Sequence, residues 1–166
     1  MPQNPAPSTL FVTRIKTGAG VQVNPPSGTG IVTLGAAGGI AYNAVATAPT
    51  AGTLALTGAN IAGSVKTVLN LTDALAAAAN AELPTVASLI AAMETMGIVP
   101  EAGTSYELDV MNSSSGNFAW TVTTNTGWTL NGTMTIAQNT VRKFLVSFTS
   151  ATAATLQSLG QFAFTA

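Results

Sequence analysis

The chain has 166 residues, 47% of them hydrophobic, with 5 Lys or Arg against 6 Asp or Glu and neither histidine nor cysteine. Those two missing residue types supply most acid–base catalysts, soft-metal ligands and thiol nucleophiles, so whole classes of enzyme are removed and structural or binding roles are left. A charged fraction of 7% and a net charge of −1 provide no phosphate-neutralising stripe for nucleic acid, and little charged surface to keep a lone monomer dispersed, which favours an oligomer or an assembly.

The first ten residues, MPQNPAPSTL, lack the basic and apolar regions of a secretory signal and suit an arm. Residues 1–53 are dense in Gly, Pro, Ala and Thr, which forbid long helices, so an extended docking arm is expected there. Short alternating runs at 10–15, 21–23 and 31–34 are predicted strands of that arm. With few large apolar side chains, the arm alone could not offset an ordering entropy of about 1 to 2 kcal/mol per residue, so it is expected to lie on another surface. Phe11, Arg14, Val21, Val23 and Ile31 are its candidate contacts.

From residue 54 to 166 the pattern is that of a packed β domain. Strands are predicted at 54–57 and 65–71, while Leu75 to Ala81 reads as a loop or a short helix, rich in alanine but without anchoring side chains. One amphipathic helix is predicted over 84–96: Val86, Leu89, Ile90 and Met93 recur at three- and four-residue spacing, Pro84 fits the first turn, and Gly97 ends the run. The period then becomes two. Tyr106, Leu108 and Val110 share one face, with Glu107, Asp109 and Met111 on the other; Asn112 to Gly116 makes a hairpin turn; and Phe118, Trp120 and Val122 share a face of the next strand. Further strands carry Trp128 and Leu130, Met134 and Ile136, Phe144 to Phe148, and Leu156 to Phe164, with Asn131-Gly132 as the best hairpin signal. About eight short strands at this spacing predict a mainly β fold, an antiparallel two-sheet β-sandwich, jelly-roll-like, with one short helix.

Few residues invite a chemical reading. Glu107 and Asp109 could hold a calcium ion or act as a carboxylate pair, but two carboxylates without a calcium-loop motif read as a solvated face or a subunit contact. Arg142 and Lys143 are expected to pair with them or with a neighbouring subunit, an exposed interaction of about 0 to 1 kcal/mol. Trp120 shares the inward parity, whereas Trp128 beside Gly127 is the better candidate for exposure. With Thr126 and Asn131 it forms a candidate glycan contact, since an apolar ring matches the C–H face of a sugar. The serines of 112–116 have no histidine or suitably spaced lysine to activate them, and the glycine pairs at 18–20 and 28–30 lack a phosphate-binding context. No catalytic residue, metal or cofactor is expected, and neither is a membrane partner: Thr, Asn, Ser and Gly interrupt every apolar run before the roughly 20 residues a spanning helix needs.

The segments Leu83-Pro84-Thr85, Asn112 to Gly116 with Trp120, Gly127-Trp128-Thr129-Leu130, Gly132 to Thr140 and Thr152 to Gly160 together resemble a virion surface module of tailed bacteriophages and some large viruses. The resemblance covers about half the chain and implies a β-sandwich that decorates a capsid or forms part of a fibre, usually as a homotrimer, with no enzymatic activity. It implies the major capsid protein and further copies of the chain as partners, at the capsid surface of a virion. Arg142 and Lys143 then join the arm residues as candidate capsid or subunit contacts, and a receptor-binding fibre that recognises a host glycan is the alternative.

Overall fold

A computed structural model describes residues 40–45, 52–72 and 74–164, the first of these segments as backbone only. All belong to one compact unit, Leu34–Ala166. The described elements are β1 (Ile40–Val45), β2 (Gly52–Ala55), α1 (Gly58–Ile61), β3 (Lys66–Leu71), β4 (Ala79–Glu82), α2 (Val86–Thr95), β5 (Ser105–Asn112), β6 (Trp120–Thr123), β7 (Trp128–Asn131), β8 (Thr135–Ile136), β9 (Thr140–Ser150) and β10 (Ala153–Ala163). The fold is mainly β, as its alternating patterns predict.

The pairing is mixed where antiparallel sheets were expected. One sheet has the order β1-β3-β5-β9-β10-β7 and the other β2-β4-β6-β8. From β1 to β8 successive strands alternate between the two. Over β1 to β6 the chain returns to each sheet in its original direction, so β1, β3 and β5 stack in parallel, as do β2, β4 and β6, whereas β8 returns antiparallel to β6. Only β9 and β10 are consecutive, antiparallel and in one sheet, joined through Ala151 and Thr152. The two hairpins expected at Asn112–Gly116 and Asn131-Gly132 are therefore corners between sheets. Gly132 has φ +87, where a side chain would be strained, but Asn131 lacks the positive φ of an Asn-Gly hairpin turn, and the strands on either side do not pair. β1 and β2 pair with β3 and β4, so residues before position 54 contribute strands to both sheets.

The expected helix forms as α2. Thr85 is its N-cap, with Oγ1 accepting from Ser88 N at 3.1 Å, so Pro84 stands just outside the helix. Val86, Leu89 and Met93 are its buried stripe. A second helix, the single turn α1, was not expected. It lies close against α2: a Cβ on Gly58 would stand 2.3 Å from Ser88 O, so only glycine fits. The alanine run contains a strand, β4, in place of the loop or short helix expected. Ala79 and Ala81 are buried, and their backbone lies between β2 and β6, so small size at a crowded position prevails over helix propensity.

Buried side chains of both sheets and α2 form one apolar cluster, with Trp120, Phe144, Phe148 and Leu156 among the largest. Trp120 points inward as predicted; Phe118 stands before β6 and is exposed. Tyr106 is buried and its hydroxyl donates to Ile61 O at 2.7 Å, tying β5 to α1; burial pushes its ionisation well above the ordinary range.

Candidate functional site

β5 sits between β3 and β9 in the larger sheet, and its alternation sends Tyr106, Leu108 and Val110 inward and Glu107 and Asp109 to the other face. Register places Lys66 opposite Glu107 and Lys143 opposite Asp109. The four side chains close into one ionic quartet. Lys66 Nζ lies 2.7 Å from Glu107 Oε1 and 2.6 Å from Asp109 Oδ2. Lys143 Nζ lies 2.7 Å from Glu107 Oε1 and 3.8 Å from Asp109 Oδ2. Lys143 and Lys66 together lower the Glu107 carboxyl from 4.5 to about 2, while Asp109 and Glu107 hold the Lys66 ammonium well above the usual lysine range. Asp109 is 7% exposed, and its Oδ1 is buried without a hydrogen-bond donor among the described residues.

The quartet is electrically neutral, so it offers no net field to a charged ligand. No group of three or more His, Cys, Asp or Glu able to hold a metal occurs among the described residues. The pairing of Lys143 with Glu107 and Asp109 follows the sequence reading; Lys66 is the member that the sequence reading does not include. Its signal was present: Lys66 and Glu107 both fall on the polar parity of their strands, but which strands are neighbours cannot be read from parity.

Arg142, expected beside Lys143 in this pairing, faces the opposite way. It donates to Thr135 O at 2.8 Å, Ser158 Oγ at 3.0 Å and Gln161 Oε1 at 2.5 Å, and burial lowers its pKa. Its donors serve the chain's own β8–β10 corner. Phe11, Arg14, Val21, Val23 and Ile31 lie outside the described residues.

The three candidate glycan contacts do not make a platform. Trp128 is buried, with 8% exposure, and its Nε1 donates to Pro84 O at 2.7 Å; its expected exposure is corrected by packing beside α2, which a nearby glycine and polar loop do not reveal. Thr126 and Asn131 are exposed on either side of it.

Exposed large apolar side chains include Val65, Val99, Leu159 and Phe162. β7 pairs with β10 only over Ala154–Gln157, so from residue 159 onward one edge of β10 has no strand beside it among the described residues. Leu159 and Phe162, each 54% exposed, stand on that free stretch.

Comparison with protein-family models, curated proteins and solved structures returns no match to this chain.

Proposed function

We propose that this protein is a structural component of a virion, a capsid decoration or cement protein that acts as a homo-oligomer through contact area and turns over no substrate. The finer architecture belongs to the same reading: a jelly-roll-like sandwich, supported by the single core that buried residues of both sheets share. The observation that carries the proposal is the edge of β10 that no strand among the described residues covers. An unpaired strand edge beside Leu159 and Phe162 is a template for pairing with another chain, and no charge on this stretch opposes it. Neutralisation of four of the eleven charged side chains within the quartet leaves the rest of the surface still poorer in charge, as an assembly component requires. The capsid as docking partner rests on the sequence resemblance, with residues 1–33 as the arm that spreads over the shell.

Mass-resolved size measurement of the purified full chain tests the first step. An oligomer that dissociates on Phe162→Lys or Leu159→Lys supports it, and a monomer at the concentrations found in particles sinks it. Co-sedimentation with capsid shells tests the second: removal of residues 1–33 should abolish binding and leave the oligomer intact.

A further inference from the structure

The outer face of the larger sheet presents a lysine amine to a carboxylate that is almost out of water. β3 and β5 are parallel neighbours with Lys66 opposite Glu107, so Lys66 reaches diagonally to Asp109, where Nζ and Oδ2 are 2.6 Å apart. An exposed ion pair leaves both carboxylate oxygens hydrated. Here Asp109 Oδ1 is buried with no donor among the described residues, and an ionised carboxylate held that way is costly. Glu107 Oε1 touches the same Nζ at 2.7 Å, so an amine, a nearly dry acid and a proton carrier stand within one hydrogen-bond radius.

We propose that Lys66 and Asp109 condense into an isopeptide bond between Nζ and Cγ, cross-linking β3 to β5 after folding, with Glu107 carrying the protons.

The step balances without a co-reactant. One ammonium proton passes from Lys66 through Glu107 to Asp109 Oδ2, converting the ion pair into an amine and a carboxylic acid. The Nζ lone pair attacks Cγ, forming the N–C bond of a tetrahedral intermediate. A second Nζ proton moves through Glu107 to Oδ2, the C–Oδ2 bond breaks, and one water leaves. Ammonium and carboxylate have become an amide and water, with nothing oxidised or reduced.

The surroundings favour the product. The amide carbonyl inherits the position of Oδ1, where a neutral dipole is less costly to leave without a donor than part of an anion. Lys143, 2.7 Å from Glu107 Oε1, remains as counter-ion to Glu107 when the Lys66 charge disappears. Lys66 is nearer to Asp109 Oδ2 than Lys143 is, at 2.6 Å against 3.8 Å, which selects the amine that reacts. The reactive amine–acid pair is an internal tautomer of the ion pair. Glu107, Asp109, Lys66 and Lys143 are the titratable groups facing the site. Two carboxylates keep Lys66 cationic, so the reaction is slow and belongs to maturation.

The inference does not depend on the virion reading. Denaturing mass spectrometry of the full chain, incubated in its native state, should find a species lighter by one water. Fragmentation should give a branched peptide joining residues 66 and 109, and removal of Met1 is read from the same spectra. Lys66→Arg keeps the cation and the fold but should restore the full mass, and Glu107→Gln should slow bond formation severely. Native protein that retains its full mass after days at neutral pH overturns the proposal. So does a water deficit that persists in Lys66→Arg, since an acid would then have cyclised without the lysine.

Discussion

Two polar clusters flank β5, one on each face, and they are built on opposite principles. On the outer face the quartet of Lys66, Glu107, Asp109 and Lys143 is ionic, partly hydrated and centred on an acid with one oxygen left over. On the inner side, at the end of the same strand, Asn112 is completely buried and neutral. Its Nδ2 donates to Phe118 O and Ile136 O, each at 3.1 Å, and its Oδ1 accepts from Ser114 N and from Ser114 Oγ. Gln138 Nε2 closes the ring on Ser114 O at 3.0 Å. Asn112 thereby holds together the corner from the larger sheet to the smaller one, in place of the hairpin expected there. A neutral amide with every bond made can sit in a core without charge to neutralise; the ionic group stays near water and does not determine the course of the chain.

Breaking the inner cluster should have the largest effect. Asn112→Ala strands two carbonyls and the donors of Ser114, and is expected to cost about 3 kcal/mol or more in a denaturant titration, because buried polar groups without partners lose about 1 to 3 kcal/mol each. A loss below about 1 kcal/mol would mean that water replaces the side chain and the corner does not depend on it. Ser114→Ala is intermediate, at about 1 to 2 kcal/mol, since Asn112 keeps its two carbonyl partners. Trp128→Phe, which removes the bond to Pro84 O while keeping most of the ring's packing, should cost about 1 kcal/mol and leave any glycan binding unchanged. Glycan binding lost with this substitution would restore a sugar site around Thr126 and Asn131.

The quartet should respond least. Lys143→Gln removes only the more exposed cation and is expected to cost less than about 1 kcal/mol, falling further in salt. Its clearer signature is in acid. Glu107 is lowered from 4.5 to about 2, so its contribution is present above pH 4.5 and is lost as pH falls towards 2. Lys143→Gln should raise Glu107 and shift that acid limb upward. An unchanged acid limb would show that Lys66 alone sets the Glu107 carboxyl.

Local patterns read well because their causes are local. The helix over 86–95 follows from Gly97 and the spacing of Val86, Leu89 and Met93, and the inward parity of Tyr106, Leu108, Val110 and Trp120 follows from the two-residue period of a strand. The same period is shared by parallel and antiparallel strands, so it could not disclose that β3 and β5 are parallel neighbours or that β5 and β6 belong to different sheets. Glu107, Asp109 and Lys143 were therefore visible as members of the quartet, while Lys66, 41 residues before Glu107, needed the sheet order to join them. Trp128 was misplaced for a similar reason: its neighbours in sequence are polar, but its neighbour in space is Pro84 O.

By itself the sequence determined the chemical poverty of the surface, the mainly β character and the position of α2, because composition, side-chain alternation and capping act over a few residues. The tertiary structure alone decided which strands adjoin. That choice depends on where crossovers return the chain, and it brought one amine within 2.6 Å of one nearly dry carboxylate.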